Sequence, residues 1–368
     1  MNENTQNENA ASDLNTAVAQ AAQAGSEQPK FKPAAGSGFG WINESGKVEN
    51  KTLGEQVRLL AKATRSGVVL VMILPVVLGT LLATAVTHQF NFFTFVLTVV
   101  GAAAAHLASN TVNDYWDYKS GADTLATESE GEVATHSGVL VSGVMTTGQV
   151  GLLTAILFAV ALACGVGLAF LTGWQVLIFA VLGFLLAYFY VAPPIAYGYI
   201  GRGLGEIGVL FSFGVLPVMG AYYTQTGVIS WAAFLASLPT GLLTTAILLN
   251  HSFLQWRADK LANKNTPVVA FGVDGALKFS WVIAISAYVS LLVGVLLGVF
   301  PWFALLALIS FPIVAKGLQA AQQIKAVPGY GQLMAATFQS DVLTGALIAV
   351  SLLAATFIGS FSFLTFLR

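Results

Sequence analysis

Residues Phe92–Asp123 read FFTFVLTVVGAAAAHLASNTVNDYWDYKSGAD, an apolar run to Asn110 that passes without a break into a stretch of amides and acids. The first part approaches the roughly 20 apolar residues a helix needs to cross a bilayer core. The second part packs Asp114, Asp117 and Asp123 into ten residues. If the helix continues through Asp117, then Asn110, Asn113, Asp114 and Asp117 lie at offsets of three, four and seven and share one face. Gly121 can then end it. Ionisable groups at membrane depth cost about 2.5–3.5 kcal/mol each at a helix centre, so a cluster of them points to function. Crowded carboxylates repel one another unless protonation or a divalent cation compensates, and hard cations such as Mg²⁺ prefer these oxygen ligands.

The composition around this stretch has the same character. Of 368 residues 56% are hydrophobic and 9% charged, against roughly 25% charged in ordinary soluble domains. The net charge is -1, so the chain lacks the basic field of a nucleic-acid binder, and nucleic acid is excluded as a partner. Cys164 is the only cysteine; it has no intrachain disulfide partner and reads as a small buried apolar residue.

Nine apolar runs follow residue 66: Gly67–Thr87, Phe92–Asn110, Val150–Leu171, Trp174–Val191, Leu204–Tyr223, Trp231–Asn250, Phe279–Phe300, Pro301–Ala315 and Val342–Leu367, the eighth being the shortest. The predicted fold class is all-α: a polytopic membrane protein with about nine transmembrane helices around a central cavity open to the cytoplasmic side. Arg58, Lys62 and Arg65 precede the first run. Lys119, Arg202, the group Arg257, Lys260, Lys264 and Lys278, and the pair Lys316 and Lys325 all fall in connections on that same side. The opposite connections, near His88, Gly173, Thr224–Gly227 and Phe300–Pro301, carry no Lys, Arg, Asp or Glu. By the excess of Lys and Arg in cytoplasmic loops, the N-terminus is cytoplasmic and Arg368 external, in a cell (inner) membrane. Residues 1–55 are rich in Asn, Gln, Ala, Ser and Gly without apolar periodicity. They read as a disordered cytoplasmic tail with no signal peptide, ahead of a membrane domain over 56–368.

A second polar cluster ends the sixth run. It holds Asn250, His251, Gln255, Arg257, Asp259 and Lys260, followed by Asn263, Lys264, Asn265 and Thr266; His251, Gln255 and Asp259 are four apart and share a helix face. The two clusters can face each other across a cavity. The simplest chemistry for such a site is diphosphate binding through bridging Mg²⁺, with Lys119, Lys264 or Arg202 meeting the remaining phosphate charge. The membrane then houses an isoprenoid tail. Helix capping is the plain alternative for such polar ends, but single caps do not require three acids and three amides. A carrier also places acids inside a bundle, though near the midplane rather than at the helix ends.

With these residues in view, the chain resembles the UbiA superfamily of intramembrane prenyltransferases from about Leu59 to the C-terminus. Asn110, Asn113, Asp114, Asp117, Gly121 and Asp123 match that family's first acidic motif. They match best in the form found in 1,4-dihydroxy-2-naphthoate polyprenyltransferases, as do Ser142-Gly143, Gly201 through Glu206, and Phe213-Gly214. The second motif is partly kept. Where the family pattern has Asn, Asp and Asp at four-residue spacing, this chain has His251, Gln255 and Asp259, with Lys264, Thr266 and Val268 to Gly272 matching. Near His136, relatives usually carry an arginine that is missing here.

The resemblance implies a Mg²⁺-dependent transfer of a polyprenyl group from polyprenyl diphosphate to an aromatic quinone precursor, with loss of the naphthoate carboxylate in menaquinone synthesis. Asp114, Asp117 and Asp259 are the expected catalytic residues, and the same three with Asn110 the expected metal ligands. Asn110, Asn113, Lys119, Asp123, Arg202, His251, Gln255 and Lys264 are the expected substrate contacts. His251 can also accept a phenolic proton, and Glu206 either pairs with Arg202 one turn away or faces the acceptor. Membrane lipid is the remaining expected partner. Hydroxybenzoate, homogentisate and tetrapyrrole acceptors stay open. So does an impaired lipid-binding subunit, because the neutral Gln255 holds a metal less strongly than a carboxylate.

Overall fold

A computed structural model describes residues 41–42, 48–49 and 52–358. Most of the predicted tail, and the last run beyond residue 358, lie outside the described residues. Trp41–Ile42 and Val48–Glu49 form a short antiparallel ladder, β1 and β2. Among the described residues, everything after Thr52 is built from helices and their connections.

The helices are α1 (Leu53–Ala63), α2 (Leu70–Thr87), α3 (Phe92–Ser120), α4 (Ala122–Glu128), α5 (Thr147–Thr172), α6 (Val176–Phe189) and α7 (Tyr197–Ile200). They continue as α8 (Leu204–Thr226), α9 (Trp231–Ser252), α10 (Trp256–Leu261), α11 (Pro267–Leu296), α12 (Trp302–Ile324) and α13 (Val327–Ile358). Eight of them, α2 (counted from Ser66), α3, α5, α8, α9, α11, α12 and α13, are long and apolar enough to cross a membrane. The ninth apolar helix is α6, with 14 residues, about 21 Å long against a bilayer core of about 30 Å.

The short element is therefore the fourth, not the eighth. Pro301 opens a 3-10 stretch, Trp302–Ser310, that runs directly into Phe311–Ile324 and restores full length to α12. By contrast α6 is bounded by Gly173, whose φ of 116° interrupts the helix, and by the turn leading to Pro193 and Pro194. The seventh and ninth helices begin earlier than their apolar runs, at Pro267 and Val327. Their first turns stand clear of the apolar zone, with Asp274, Lys278 and Gln332 exposed.

Sequence signals fix the helix ends. Asn91 caps α3 by accepting from the amides of Phe93 and Thr94 at 3.1 Å, Thr146 and Gln149 form a capping box on α5, and Gly121 ends α3 with φ 83°. These contacts satisfy backbone groups that a helix terminus leaves open.

Packing distinguishes inside from lipid. α5 buries Val150, Cys164, Gly165 and Leu168 and leaves Leu162 and Phe170 exposed, as a helix in contact with acyl chains can. α13 carries an inward polar ladder instead. Thr337 accepts from Asn250 at 2.9 Å, Asp341 from Thr244 at 3.0 Å, and Thr344 lies 2.6 Å from Ser310, itself 2.9 Å from Tyr288. Polar bonds of this kind hold helices together where lipid removes the hydrophobic drive between them. α8 contains a π-turn over Leu210–Val215 that aims Phe213 at the cavity. There it meets His106 edge-on at 5.2 Å. Behind it α8 and α9 touch through glycines: a Cβ on Gly214 would stand 2.6 Å from the Gly241 Cα.

Because that neighbour is backbone, Gly214→Val has no side chain to displace. It is expected to lower the apparent melting midpoint in detergent, by about 1–3 kcal/mol in stability. A midpoint equal to the wild type would mean that the two helices separate without cost.

Candidate active site at the mouth of the cavity

The helices enclose a cavity of about 1320 Å³, larger than the roughly 300–1,000 Å³ of ordinary small-molecule sites. Its walls are mostly apolar, from Val71, Ala102, Phe158, Leu162 and Phe184 to Thr98 and Thr224 at the far end. Arg65, Asn110, Asn113, His251, Gln255, Asp259 and Lys264 line the near end. The starts of α2, α5, α8, α11 and α13 and the ends of α3, α6, α9 and α12 all fall on this near side, as strict alternation of nine helices requires.

The first motif behaves as its spacing predicts. α3 runs unbroken to Ser120, so Asn110, Asn113, Asp114 and Asp117 share a face, with both acids buried. Each acid has a cation. Arg65 Nη2 lies 2.9 Å from Asp114 Oδ1, and Lys264 Nζ lies 3.0 Å from Asp117 Oδ2. Tyr199 donates to the other Asp117 oxygen at 2.7 Å, and the Ser137 amide donates to Asp114 Oδ2 at 3.0 Å. Burial, and to a smaller degree Asp117, push the Tyr199 phenol up, which keeps it a donor. Burial pulls the Lys264 ammonium down, but its acidic and phenolic neighbours, Asp117 foremost, hold it well above the usual lysine range.

The second motif closes over the first. Gln255 sits between a loop and an acid: its carbonyl oxygen accepts from the Thr135 amide at 3.1 Å and hydroxyl at 2.5 Å, and its amide donates to Asp259 at 3.1 Å. Burial raises the Asp259 carboxyl to about 6, opposed by Lys264 and the Gln255 amide. Glu132 caps α10, accepting from the amides of Arg257 and Ala258 at 2.8 and 3.0 Å. The Asn265 amide donates to the Tyr199 carbonyl at 3.1 Å, so the turn holding Lys264 is joined to the α6–α8 connection.

Of the predicted residues, Asn110, Asn113, His251, Gln255, Asp259 and Lys264 line the cavity. Asp114, Asp117 and Asp123 are buried just behind that lining. Lys119 and Arg202 are exposed and outside it. Lys119 lies over the rings of Tyr115 and Trp116 at 4.8 and 5.5 Å, and Arg202 makes no ion pair with Glu206 among the described residues.

Motif reading missed Arg65. From a left-handed turn, φ 50°, it reaches Asn113 Oδ1 at 3.0 Å, the Asn110 carbonyl at 3.3 Å and the Thr135 carbonyl at 3.4 Å. A guanidinium therefore stands beside the 135–137 loop, reaching it from the connection before α2. Its position just before the first apolar run was the available signal, but it read only as an orientation charge. Tyr199 had no distinguishing sequence pattern.

The charges leave room for a divalent ion. Asp114, Asp117, Asp123 and Asp259 face two cations, and Asp114 Oδ1 accepts no well-aligned hydrogen bond despite its contact with Arg65. Burial, then Asp117 and Asp114, push the Asp123 carboxyl up to about 9, the response expected of a carboxylate cluster short of positive charge. Among the described residues no three His, Cys, Asp or Glu converge to hold an ion by themselves.

The sequence profile of the UbiA prenyltransferase family matches residues 72–325. The chain belongs to that family. Among UbiA relatives, the 2-carboxy-1,4-naphthoquinone phytyltransferase of Synechocystis is 28% identical over 74% of this chain and 85% of its own length. The 1,4-dihydroxy-2-naphthoate octaprenyltransferase of Bacillus subtilis is 23% identical over 86% of this chain and 100% of its own length. The Escherichia coli protein of the same name is 30% identical over 66% and 77%. The Archaeoglobus fulgidus UbiA homolog solved with DMAPP and Mg²⁺ superposes with a TM-score of 0.53 at 19% identity, covering 79% of this chain and 99% of its own. An Aeropyrum pernix homolog gives a TM-score of 0.57 at 16%, covering 76% and 97%. The expected all-α membrane fold is thus the observed one, with eight helices long enough to cross a membrane among the described residues and the shorter α6 beside them.

If the Lys264–Asp117 pair holds the two motifs together, Lys264→Met and Asp117→Asn should each destabilise the protein in EDTA. The double mutant should lose less than their sum, by about 0.5–3 kcal/mol. Additive losses in thermal unfolding would show that the pair does not couple the motifs.

Proposed function

We propose that this UbiA protein transfers a polyprenyl group from polyprenyl diphosphate to 1,4-dihydroxy-2-naphthoate in menaquinone synthesis. The observation that carries the reading is the junction of an acidic, cation-supplied mouth with a long apolar cavity. That geometry suits a molecule with a diphosphate head and an isoprenoid tail. The names of the relatives support the naphthoate acceptor. The excess of Lys and Arg at this end supports a cytoplasmic mouth, a cytoplasmic N-terminus and an external C-terminus in the cell membrane.

In this reading Asp114, Asp117 and Asp259, with the Asn110 side chain, would hold Mg²⁺, and the ion would supply Lewis-acid charge neutralisation of the diphosphate. Arg65 and Lys264 are already in place to donate charge-assisted hydrogen bonds to diphosphate oxygens once the carboxylates have another counter-ion. Tyr199 holds Asp117 in one orientation. Asn113 supplies an amide at the same wall, and Gln255 keeps the 135–137 loop closed over Asp259. Ionisation of the allylic carbon–oxygen bond leaves a carbocation at the head of the tail, and the apolar walls around it exclude water that would quench it. His251 lies beside the same space.

Arg65 bears on the impaired-subunit alternative, since a cation stands where one had been expected missing. The decisive assay supplies purified protein in lipid or detergent with a polyprenyl diphosphate and 1,4-dihydroxy-2-naphthoate, with Mg²⁺ or EDTA, and follows product mass. Prenylated product is expected only with Mg²⁺, reduced about 100-fold or more in Asp117→Asn. No product from folded protein with this acceptor, but product with hydroxybenzoate or homogentisate, would move the assignment to that acceptor. Failure with every acceptor would leave a lipid-binding role.

A further inference from the structure

The side-chain amide of Asn110 is held in one orientation by two neighbours. Its nitrogen donates to the Thr64 carbonyl at 2.9 Å and lies 3.3 Å from Nε2 of His106, one turn earlier on α3. A backbone carbonyl only accepts, so the atom that meets Thr64 is the nitrogen, and both amide hydrogens are spent on these two contacts. Asn110 lines the cavity, and its Oδ1 accepts no hydrogen bond among the described residues and is not one of the sealed polar atoms. What Asn110 offers a ligand is therefore a carbonyl oxygen. Such an atom repels phosphate oxygens and suits a hard cation.

The same contact fixes the imidazole. An amide NH₂ cannot accept, so His106 Nε2 is the acceptor and the ring hydrogen sits on Nδ1. That nitrogen is buried without a hydrogen-bond partner, in a residue that is 3% exposed. The unmet donor is the cost of this tautomer, and the Asn110 contact is what the tautomer secures. Phe213 steadies the ring from α8, edge to face with centroids 5.2 Å apart and planes at 90°. It does so from the π-turn over Leu210–Val215, a local widening of a kind frequent at functional sites. Thr64 directly precedes Arg65, whose guanidinium pairs with Asp114, so the segment that orients the amide also supplies charge to the neighbouring acid.

We propose that His106 is a positioning residue: it sets the Asn110 amide so that Oδ1, not the NH₂ group, faces the divalent cation that accompanies the diphosphate. This rests on the prenyl-transfer reading, in which Asn110 belongs to the cation site. In the role proposed, His106 touches neither ion nor substrate and acts through Asn110, as residues behind a ligand commonly do. Without its nitrogen one amide hydrogen has no partner, and rotation about the soft Cβ–Cγ bond can turn the NH₂ towards the ion.

NMR of the full-length protein in detergent, with isotope-labelled histidine, tests the geometry. The His106 signal, assigned by its loss in His106→Gln, is expected to show the hydrogen on Nδ1; a hydrogen on Nε2 would overturn the proposal. The consequence is tested with Mg²⁺ and inorganic pyrophosphate, without acceptor or turnover, through the Mg²⁺ concentration that gives half of the rise in melting midpoint. His106→Leu is expected to need about tenfold more Mg²⁺. His106→Gln, whose carbonyl can accept at the place of Nε2, should stay close to the wild type. In an Asn110→Asp background, where the two carboxylate oxygens are equivalent, His106→Leu should no longer change the Mg²⁺ requirement. A purely structural histidine predicts no rescue by glutamine and the same loss in both backgrounds, and either result overturns the assignment. Equal Mg²⁺ requirements in wild type and His106→Leu would remove this proposal alone, whereas a wild type unmoved by Mg²⁺ and pyrophosphate would remove the diphosphate reading with it. If His106→Leu does not fold, the tautomer of the wild-type protein decides.

Discussion

Two carboxylates one turn apart, buried at the mouth of an apolar chamber, must each be given positive charge, and the arrangement of the chain follows from that requirement. Asp114 receives Arg65 from the connection before the first span, and Asp117 receives Lys264 from the turn after α10. The two cations come from positions about 200 residues apart. The Lys264–Asp117 pair forms only when the first and second halves of the bundle close on the same cavity, and the Arg65–Asp114 pair only when α2 packs beside α3. Removing one partner of a buried pair leaves an uncompensated charge, whereas the pair itself yields modest net stability. These contacts therefore specify the closed arrangement more than they stabilise it. The stability lies elsewhere, in the apolar clusters around Leu82, Leu291 and Phe300 and around Leu243, Leu277 and Leu318, and in the polar ladder of α13.

The same logic explains the secondary contacts. An acid that accepts from Tyr199 or from the Ser137 amide has its lone pairs aimed, so each carboxylate is held in one orientation behind the cavity lining. The 135–137 loop lies between apolar anchors at Ala134 and at Val139 and Leu140. It is held by Arg65 on its carbonyl and Gln255 on its amide and hydroxyl. Polar contacts of this kind can be exchanged for phosphate oxygens at little cost, which suits a mouth that must admit a charged head group.

Much of this was legible in the sequence because bilayer length and side-chain period are strong constraints. The unbroken passage from Phe92 to Ser120 was readable from the offsets of Asn110, Asn113, Asp114 and Asp117, and Gly121 marked its end. Alternation of basic connections pointed to nine runs; among the described residues eight helices are long enough to cross a membrane, and the fourth run is the shorter helix α6. Tertiary partners were not legible. Arg202 stands one turn before Glu206 in sequence, but the left-handed turn at 202 sends its side chain outward. Arg65 looked like one more cytoplasmic charge, and only the approach of α2 to α3 makes it a neighbour of Asp114. Spacing along one helix predicts a shared face; it does not predict what another helix brings to that face.

Gln255 illustrates how a departure from a motif can be compensated within the site. A carboxylate at this position would add another acid beside Asp259 in a space that holds two cations, and the raised Asp259 carboxyl already reflects burial with only partial relief. An amide has both a donor and an acceptor. It can give a hydrogen to Asp259 and take two from Thr135, tasks that a carboxylate can perform only by half. The cost is one fewer charged ligand on the second motif. In its place stands a loop tied to the acid it covers, with the Gln255 side chain joining Thr135 to Asp259.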